Sequence, residues 1–422
     1  MRIRDWDRNL KVRLFGESLM NLTFWMFFPF LTIYFTEAFG KTAAGVLLIT
    51  SQVFSVFANL LGGFYADRYG RKKMMVISSI GQGAAFLIFG FSNSPWLHSA
   101  TVGFICFTVA SIFGSFYYPA SQAMVADVVN EKDRSHVFAV FYTSVNISVV
   151  VGPILGSIFF TYYRFQLLTV TGIICIFLGF LLFKFTRETA PEFRAVSPAT
   201  RQHWTDVLKK QFHSYGIILK DRIFTLFIFG GVLVAMTFMQ LDLILPVFTK
   251  EEVDAASLID LGSVHLSLTG QQLFGFILSE NGLLVALFTV IITRWAAKFP
   301  EKRIFILSSL SYAVSIYLFG ELKTGWGLIF AMIIFSFGEL VVTGIQQTFV
   351  SHLSPEHMRG QYFAASSLRY TIGRTIAPIS IPLASWIGYQ GTFLILALLA
   401  AASACVYLLM FKKLDLRKRS LQ

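Results

Sequence analysis

Twelve apolar runs, each near the ~20 residues that carry a helix across a bilayer, dictate what this chain can become. They fall at roughly 14–36, 43–65, 73–92, 99–126, 137–162, 166–185, 224–248, 271–294, 303–320, 326–350, 361–386 and 391–411. Inside lipid every backbone N–H and C=O must be paired within the element itself, so runs of this length predict helices. The fold class is therefore all-α membrane protein. Composition agrees: hydrophobic residues are 55 % of 422 and charged residues 14 %, against about a quarter charged in soluble domains. The three cysteines, Cys106, Cys175 and Cys405, lie far apart within apolar runs, and the seven histidines fall in loops or at span ends. Neither set has the clustering that a nucleophile, a base or a metal centre requires, so the reading is no enzyme, no bound cofactor and no metal. Met1 to Arg13 is charged throughout and the run after it has no A-x-A-like end, so no cleavable signal peptide is expected.

The formal charge of +12 could suggest nucleic acid, but its placement does not. Of 35 Lys and Arg, 29 fall in the two termini and every second loop; the other loops hold Lys41, Arg164, Lys250 and Lys323, and Arg369 and Arg374 lie within a span. That is the positive-inside bias. It predicts a multi-pass protein of the cell membrane with both termini cytoplasmic, whose partners are the lipid bilayer and small molecules, not nucleic acid. Arg2, Arg4, Arg8, Lys11 and Arg13 read as a basic strip at the inner surface.

One long polar stretch on the inner side divides the chain into an N-terminal six-helix bundle (1–185), a linker (186–222) and a C-terminal six-helix bundle (223–422). The linker contains Pro191, Pro198 and a possible amphipathic helix around Trp204 to Tyr215. The halves read as weak copies. Arg134-Ser135-His136-Val137-Phe138-Ala139 and Arg359-Gly360-Gln361-Tyr362-Phe363-Ala364 open spans five and eleven, and Pro153 and Pro378 keep the same offset.

Between spans two and three stands Gly63-Phe64-Tyr65-Ala66-Asp67-Arg68-Tyr69-Gly70-Arg71-Lys72-Lys73. This resembles the G-x-L-A-D-R-x-G-R-K loop of major facilitator superfamily transporters, with Tyr65 in place of the leucine. Trp295 to Arg303 is a degenerate second version without the aspartate. The resemblance covers the whole chain and implies twelve helices in two pseudo-symmetric six-helix bundles, with substrate bound between the halves. It makes Gly63, Asp67, Arg68, Gly70, Arg71 and Lys72 a cytoplasmic gate, with Asp127 at the end of span four pairing with Arg71 or this loop. Gly152-Pro153-Ile154-Leu155-Gly156 in span five resembles the G-x-x-x-G-P-x-x-G-G motif of the antiporter branches, with Ser148 and Ser157 replacing two glycines. The arginine usual in span four is missing, since Thr101 to Ala126 has no basic residue.

Ionisable groups at membrane depth are costly and mark function by default. Glu339 lies near mid-membrane, with Thr343, Gln346 and Gln347 continuing its helical face. Asp242 is followed by Pro246, and Glu280 by Asn281. Met239-Gln240-Leu241-Asp242 and Gly338-Glu339 resemble stretches of the LmrP-type multidrug/proton antiporters, which implies proton coupling through Glu339 and Asp242; Glu280, an ionisable group in span eight, is the further candidate for it. Phe141 stands where that pattern carries a further acid. Arg369 and Arg374 are the expected partners of these acids. The expected substrate cavity takes Glu339, Thr343, Gln346, Arg374, Asn21, Trp25 and Asn146, with Glu17, Asn21, Phe24 or Trp25, and Phe28 as a polar-aromatic stripe on span one.

The function implied is proton-coupled efflux of amphipathic, often cationic drugs by alternating access, with protons as coupling ion and a monomer as working unit. The alternative is export of an anionic metabolite or lipid-linked sugar, which Arg369 and Arg374 would favour.

Overall fold

The computed structural model describes residues 3–190, 216, 220–253, 255–260, 265–354 and 359–419. Most of the linker, including the amphipathic segment Trp204 to Tyr215, lies outside the described residues. In the N-terminal half the chain runs through α1 (Arg8–Phe27), a 3-10 turn (Phe28–Phe30), α2 (Leu31–Phe39), α3 (Lys41–Tyr69), α4 (Arg71–Phe91), α5 (Ala100–Val128), α6 (Glu131–Tyr162) and α7 (Arg164–Phe185). A short hairpin, β1 (Asn93–Ser94) with β2 (Leu97–His98), joins α4 to α5. The C-terminal half has α8 (Arg222–Phe238), α9 (Ile244–Glu252), α10 (Gly270–Ala296), α11 (Glu301–Glu321), α12 (Gly325–Val342), α13 (Ile345–Leu353), α14 (Arg359–Ser366), α15 (Leu368–Ile376) and α16 (Ser380–Arg419).

Eleven helical stretches among the described residues are long and apolar enough to cross a membrane, the last running from Leu368 to Arg417. That last stretch contains two of the expected runs, and Gly388, at φ +76°, breaks the helix between them. The first crossing starts earlier than hydropathy indicates: the Asp7 carboxylate accepts the Asn9 N–H and caps α1, so Arg8, Lys11 and Arg13 are helical. After α9, β3 (Ala255–Asp260) pairs antiparallel with β4 (His265–Thr269).

The residues cluster into two compact units, Met1–Phe30 with Thr50–Lys210, and Leu31–Ile49 with Gln211–Gln422. In the first, α4 packs on α5 and α7, and α1 on α6 and α7, around Met75, Tyr117, Met124, Leu178 and Leu182. In the second, α11 packs on α12 and α16, and α8 on α15 and α16. Its core is aromatic: Phe305 meets Phe227, Phe349, Tyr407 and Phe411 at centroid distances of 4.9–6.1 Å, mostly edge to face, as ring quadrupoles prefer. Large apolar side chains such as Phe54, Phe57, Ile88 and Phe183 remain exposed, as a surface solvated by acyl chains requires.

The Gly152-Pro153-Ile154-Leu155-Gly156 stretch is where α6 lies on α1. A Cβ on Gly156 would stand 2.0 Å from the Met26 carbonyl oxygen, and one on Gly152 2.6 Å from the Trp25 Cβ. Small residues of this kind let backbones touch where lipid offers no hydrophobic drive. Pro153 stays within the helix, whereas Pro378, its counterpart by offset, sits in a 3-10 turn (Ala377–Ile379). Gly156→Ala should therefore cost about 1–3 kcal/mol of overpacking, read as a lower thermal midpoint of the purified protein. Ile154→Ala, on an exposed position of the same helix, should change it far less.

Candidate functional site

Four crossings are interrupted, and in the second half the polar groups collect at the interruptions. Between α8 and α9 a 3-10 turn (Met239–Leu241) and Asp242 break the seventh run. Pro246 has no N–H to give the carbonyl four residues back, and that Asp242 oxygen accepts the Thr32 hydroxyl instead at 2.8 Å. Gln240 is buried; its amide donates to the Met236 carbonyl at 2.7 Å and the Ala377 carbonyl at 3.4 Å, and its oxygen accepts Ser380 at 2.6 Å. In the tenth run α12 ends at Val342, and Gly344, at φ +82°, turns the chain into α13. Thr343 satisfies the Glu339 carbonyl with its N–H at 3.2 Å and its hydroxyl at 2.7 Å.

Glu339 thus sits one turn ahead of a helix break, half-buried. Its Oε2 accepts the Asn281 amide at 3.1 Å, and the same amide reaches Ser336 Oγ at 3.0 Å. A carboxylate, an amide and a hydroxyl from α10 and α12 thereby converge. The arginines expected beside it are placed otherwise. Arg369 is buried, gives Nη1 to Gln346 at 2.9 Å and Nε to the Ser366 carbonyl at 2.9 Å, and lies over the Phe227 ring at 4.4 Å. Its stem fills the space left by Gly231, where a Cβ would stand 2.2 Å from Arg369 Cδ. Arg374 has no acidic group within ion-pairing distance among the described residues, although its charge acts on Asp242. Asp242 Oδ1 and Glu280 Oε2 are closed off from solvent without a hydrogen-bond partner. Glu339 is thus held by an amide, while Arg369 lies over an aromatic face and against Gln346.

In the first unit, span one departs most from expectation. Arg13, read as part of a surface strip, is 1 % exposed and bonds Glu17 through Nε at 2.7 Å and Nη2 at 3.3 Å. Tyr117 donates to the same carboxylate at 2.5 Å, and Arg13 Nη1 donates to the Ser121 carbonyl at 2.7 Å. Spacing was the available signal, since residues four apart on a helix share a face. Asn21 lines a cavity of about 450 Å³ beside this group, together with Gln82 and Gln122. Trp25 and Asn146 are not among its walls: Trp25 packs against Phe24 and Phe28, and Asn146 is half-buried on α6.

The loop motif forms a tight electrostatic knot. Arg71, buried at the start of α4, meets Asp67 at 2.7 Å and Asp127 at 3.1 Å, and donates to the Ala66 carbonyl at 3.2 Å. Arg68 is exposed and lies over the Tyr69 ring, and a Cβ on Gly63 would face open space, so packing gives no account of that glycine. Gly70, at φ +98°, adopts a conformation that favours glycine. Beside it sits a group that sequence reasoning missed. Glu188, just past α7, accepts the N–H of Arg71 at 2.8 Å and of Lys72 at 3.3 Å, capping α4 from 117 residues away. A Cβ on Gly70 would stand 2.3 Å from its Oε2. Thr189 donates to Asp127 at 3.1 Å, and Lys72 reaches the Thr186 carbonyl at 2.8 Å. The first turn of the linker is thus strapped onto the motif.

Burial alone would raise the Glu188 carboxyl, but donations from Ala190, Thr189, Lys72 and Arg71 outweigh it and hold it below the ordinary range. A lowered carboxyl stabilises the folded form above the free value, near ~4.3, and that contribution is lost as pH falls through the lowered one. The protection of the Arg71 and Lys72 amides, taken relative to their intrinsic exchange rates, should accordingly fall on acidification below the free value. Glu188→Gln should remove that pH dependence.

Three consecutive residues at the end of α9 tie it to three other elements. Lys250 pairs with Glu37 of α2, Glu251 with Lys41 of α3 at 2.6 Å, and Glu252 with Lys323 at 2.5 Å. Tyr389 adds a hydroxyl to Glu251 at 2.8 Å.

Comparison with known proteins matches this arrangement to one family. The model of the Major Facilitator Superfamily matches residues 14–270 and 257–421. The chain is 54 % identical over 99 % of both lengths to a Planococcus maritimus protein named Na(+), Li(+), K(+)/H(+) antiporter. It is 25 % identical to the multidrug resistance protein MdtH of Shigella flexneri, covering 87 % of this chain and 84 % of that one. Among solved structures, a POT family transporter in complex with 5-aminolevulinic acid superposes with a TM-score of 0.78 over 98 % of each chain at 17 % identity. The nucleoside transporter NupG gives 0.74 over 96 % of this chain and 100 % of its own at 14 % identity. The chain is a multi-pass secondary transporter, not an enzyme, and it belongs to the Major Facilitator Superfamily.

Proposed function

We propose that this protein exchanges monovalent metal cations for protons across the membrane. The observation that carries the reading is the 54 % identity, over essentially the whole chain, to a protein named as a Na(+), Li(+), K(+)/H(+) antiporter. The chemistry of the second unit suits it. Alkali cations take hard oxygen ligands, and the Glu339 carboxylate, the Asn281 amide and the Ser336 hydroxyl meet at hydrogen-bond distance. One carboxylate cannot hold a proton and a metal cation at once, so the two compete. Alternating access converts that competition into exchange. Asp242 and Glu280, each with an unpartnered buried oxygen, are the further acids through which protons pass. The positive-inside bias supports both termini on the cytoplasmic side of the cell membrane. The working unit in this reading is a monomer with protons as coupling ion and no bound cofactor.

A second reading, efflux of amphipathic and often cationic drugs in exchange for protons, is favoured by the multidrug relatives at 24–25 % identity. The two readings share the proton site and differ in cargo.

Proteoliposomes carrying a pH-sensitive dye inside decide between them. In the first reading, added Na⁺, Li⁺ or K⁺, but not choline, moves protons in wild type. Glu339→Gln abolishes this, and Asn281→Ala weakens the apparent cation affinity by roughly tenfold, as loss of a ligand-orienting group does at other metal sites. Proton movement driven by ethidium or Hoechst dye but by none of the three metal ions would overturn it in favour of drug exchange.

A further inference from the structure

The cavity of the first unit has a wall that neither cation exchange nor the loop motif uses. Glu17, the acid in that wall, is already saturated: it accepts Arg13 Nε, Arg13 Nη2 and the Tyr117 hydroxyl. Arg13 is equally committed, since its Nη1 donates to the Ser121 carbonyl and its guanidinium lies over the Phe141 ring at 4.9 Å. Among the described residues lining the cavity these two are the only charged ones, and their charges cancel. What remains open to a ligand is three amides, Asn21, Gln82 and Gln122, none of which bonds to another described residue, together with tyrosine and phenylalanine rings. About 450 Å³ falls within the ~300–1,000 Å³ typical of drug-sized pockets. Free amides offer donors and acceptors side by side, which suits carbonyl, ether and amide groups better than an isolated charge.

We propose that this cavity binds amphipathic organic molecules without net charge, and that Arg13 sets the preference by acting as a built-in counter-cation on Glu17. Removing the arginine alone leaves one buried carboxylate facing the cavity, and the site turns to organic cations. Removing the acid alone leaves Arg13 unneutralised, and the site turns to organic anions. Replacing both restores a neutral wall with little change of volume, a substitution that buried ion pairs tolerate. The inference goes beyond cation/proton exchange, and since it is tested by binding alone its failure leaves that reading intact.

The test is equilibrium binding to the purified full-length protein in detergent at mildly alkaline pH. Tetraphenylphosphonium and tetraphenylborate serve as ions of like shape and opposite charge, and triphenylphosphine oxide as the neutral probe. Wild type and Arg13→Gln/Glu17→Gln should favour the neutral probe. Arg13→Gln should shift the cation-to-anion affinity ratio upward by about tenfold, and Glu17→Gln downward by a similar factor. Ser144→Trp, which fills the cavity, should remove neutral binding. Equal ratios in all four proteins, or neutral binding that survives Ser144→Trp, would overturn the proposal. Should Arg13→Gln fail to fold, Glu17→Gln set against the double variant still decides it.

Discussion

Lipid supplies no hydrogen bonds, and most of this structure follows from that. A continuous helix pays no penalty, but each interruption frees a carbonyl that a side chain must recover. Thr32 recovers the Asp242 carbonyl left open by Pro246, the Thr343 hydroxyl reinforces the Glu339 carbonyl, and Gln240 reaches that of Ala377. The acids of the second unit sit at these repairs: Asp242 is in one break and Glu339 a turn before another. Polar side chains there serve the backbone first, and the proposed ion chemistry uses acids already placed beside them.

The two units treat their buried acids in opposite ways. In the first, Glu17 is held by an arginine and a tyrosine and its charge is fully answered. In the second, Glu339 has an amide, while one oxygen each of Asp242 and Glu280 has no partner. A carboxylate answered by a guanidinium is a fixed part of the wall; one answered by an amide, or by nothing, is free to exchange what it holds. Spread over both units, the same residue type supplies structure in one place and, in the proposed cation exchange, the exchanging groups in the other.

The number of crossings and the class were legible because hydropathy integrates over about twenty residues and tolerates local error. The loop motif was legible because its charges and glycines recur at fixed spacing. The breaks were not, since an interruption of two or three residues leaves hydropathy unchanged. Pro246 and Pro378 were visible, but not which carbonyl each would free. Arg13 looked like surface charge because it lies near the basic terminus; its four-residue offset from Glu17 was the clue to a buried pair. The partners of Arg369 and Arg374 were hidden for a related reason. Depth fixes height along the bilayer, whereas partnership depends on helix rotation, which packing around residues such as Gly231 decides. Glu188 left no local trace, because the helix it caps lies 117 residues away.

The run Lys250-Glu251-Glu252 joins α2, α3 and the turn before α12 through charges that remain largely open to solvent. Contacts of this kind are screened within a Debye length, about 8 Å in physiological salt and about 3 Å at 1 M. The grip on Leu31–Ile49 is thus set by the medium that bathes that face. In dilute solution the three pairs act together as a clasp; in brine they slacken, and the segment Leu31–Ile49 rests on its apolar packing alone. An ion accumulating on that side loosens the clasp whether or not it is ever carried.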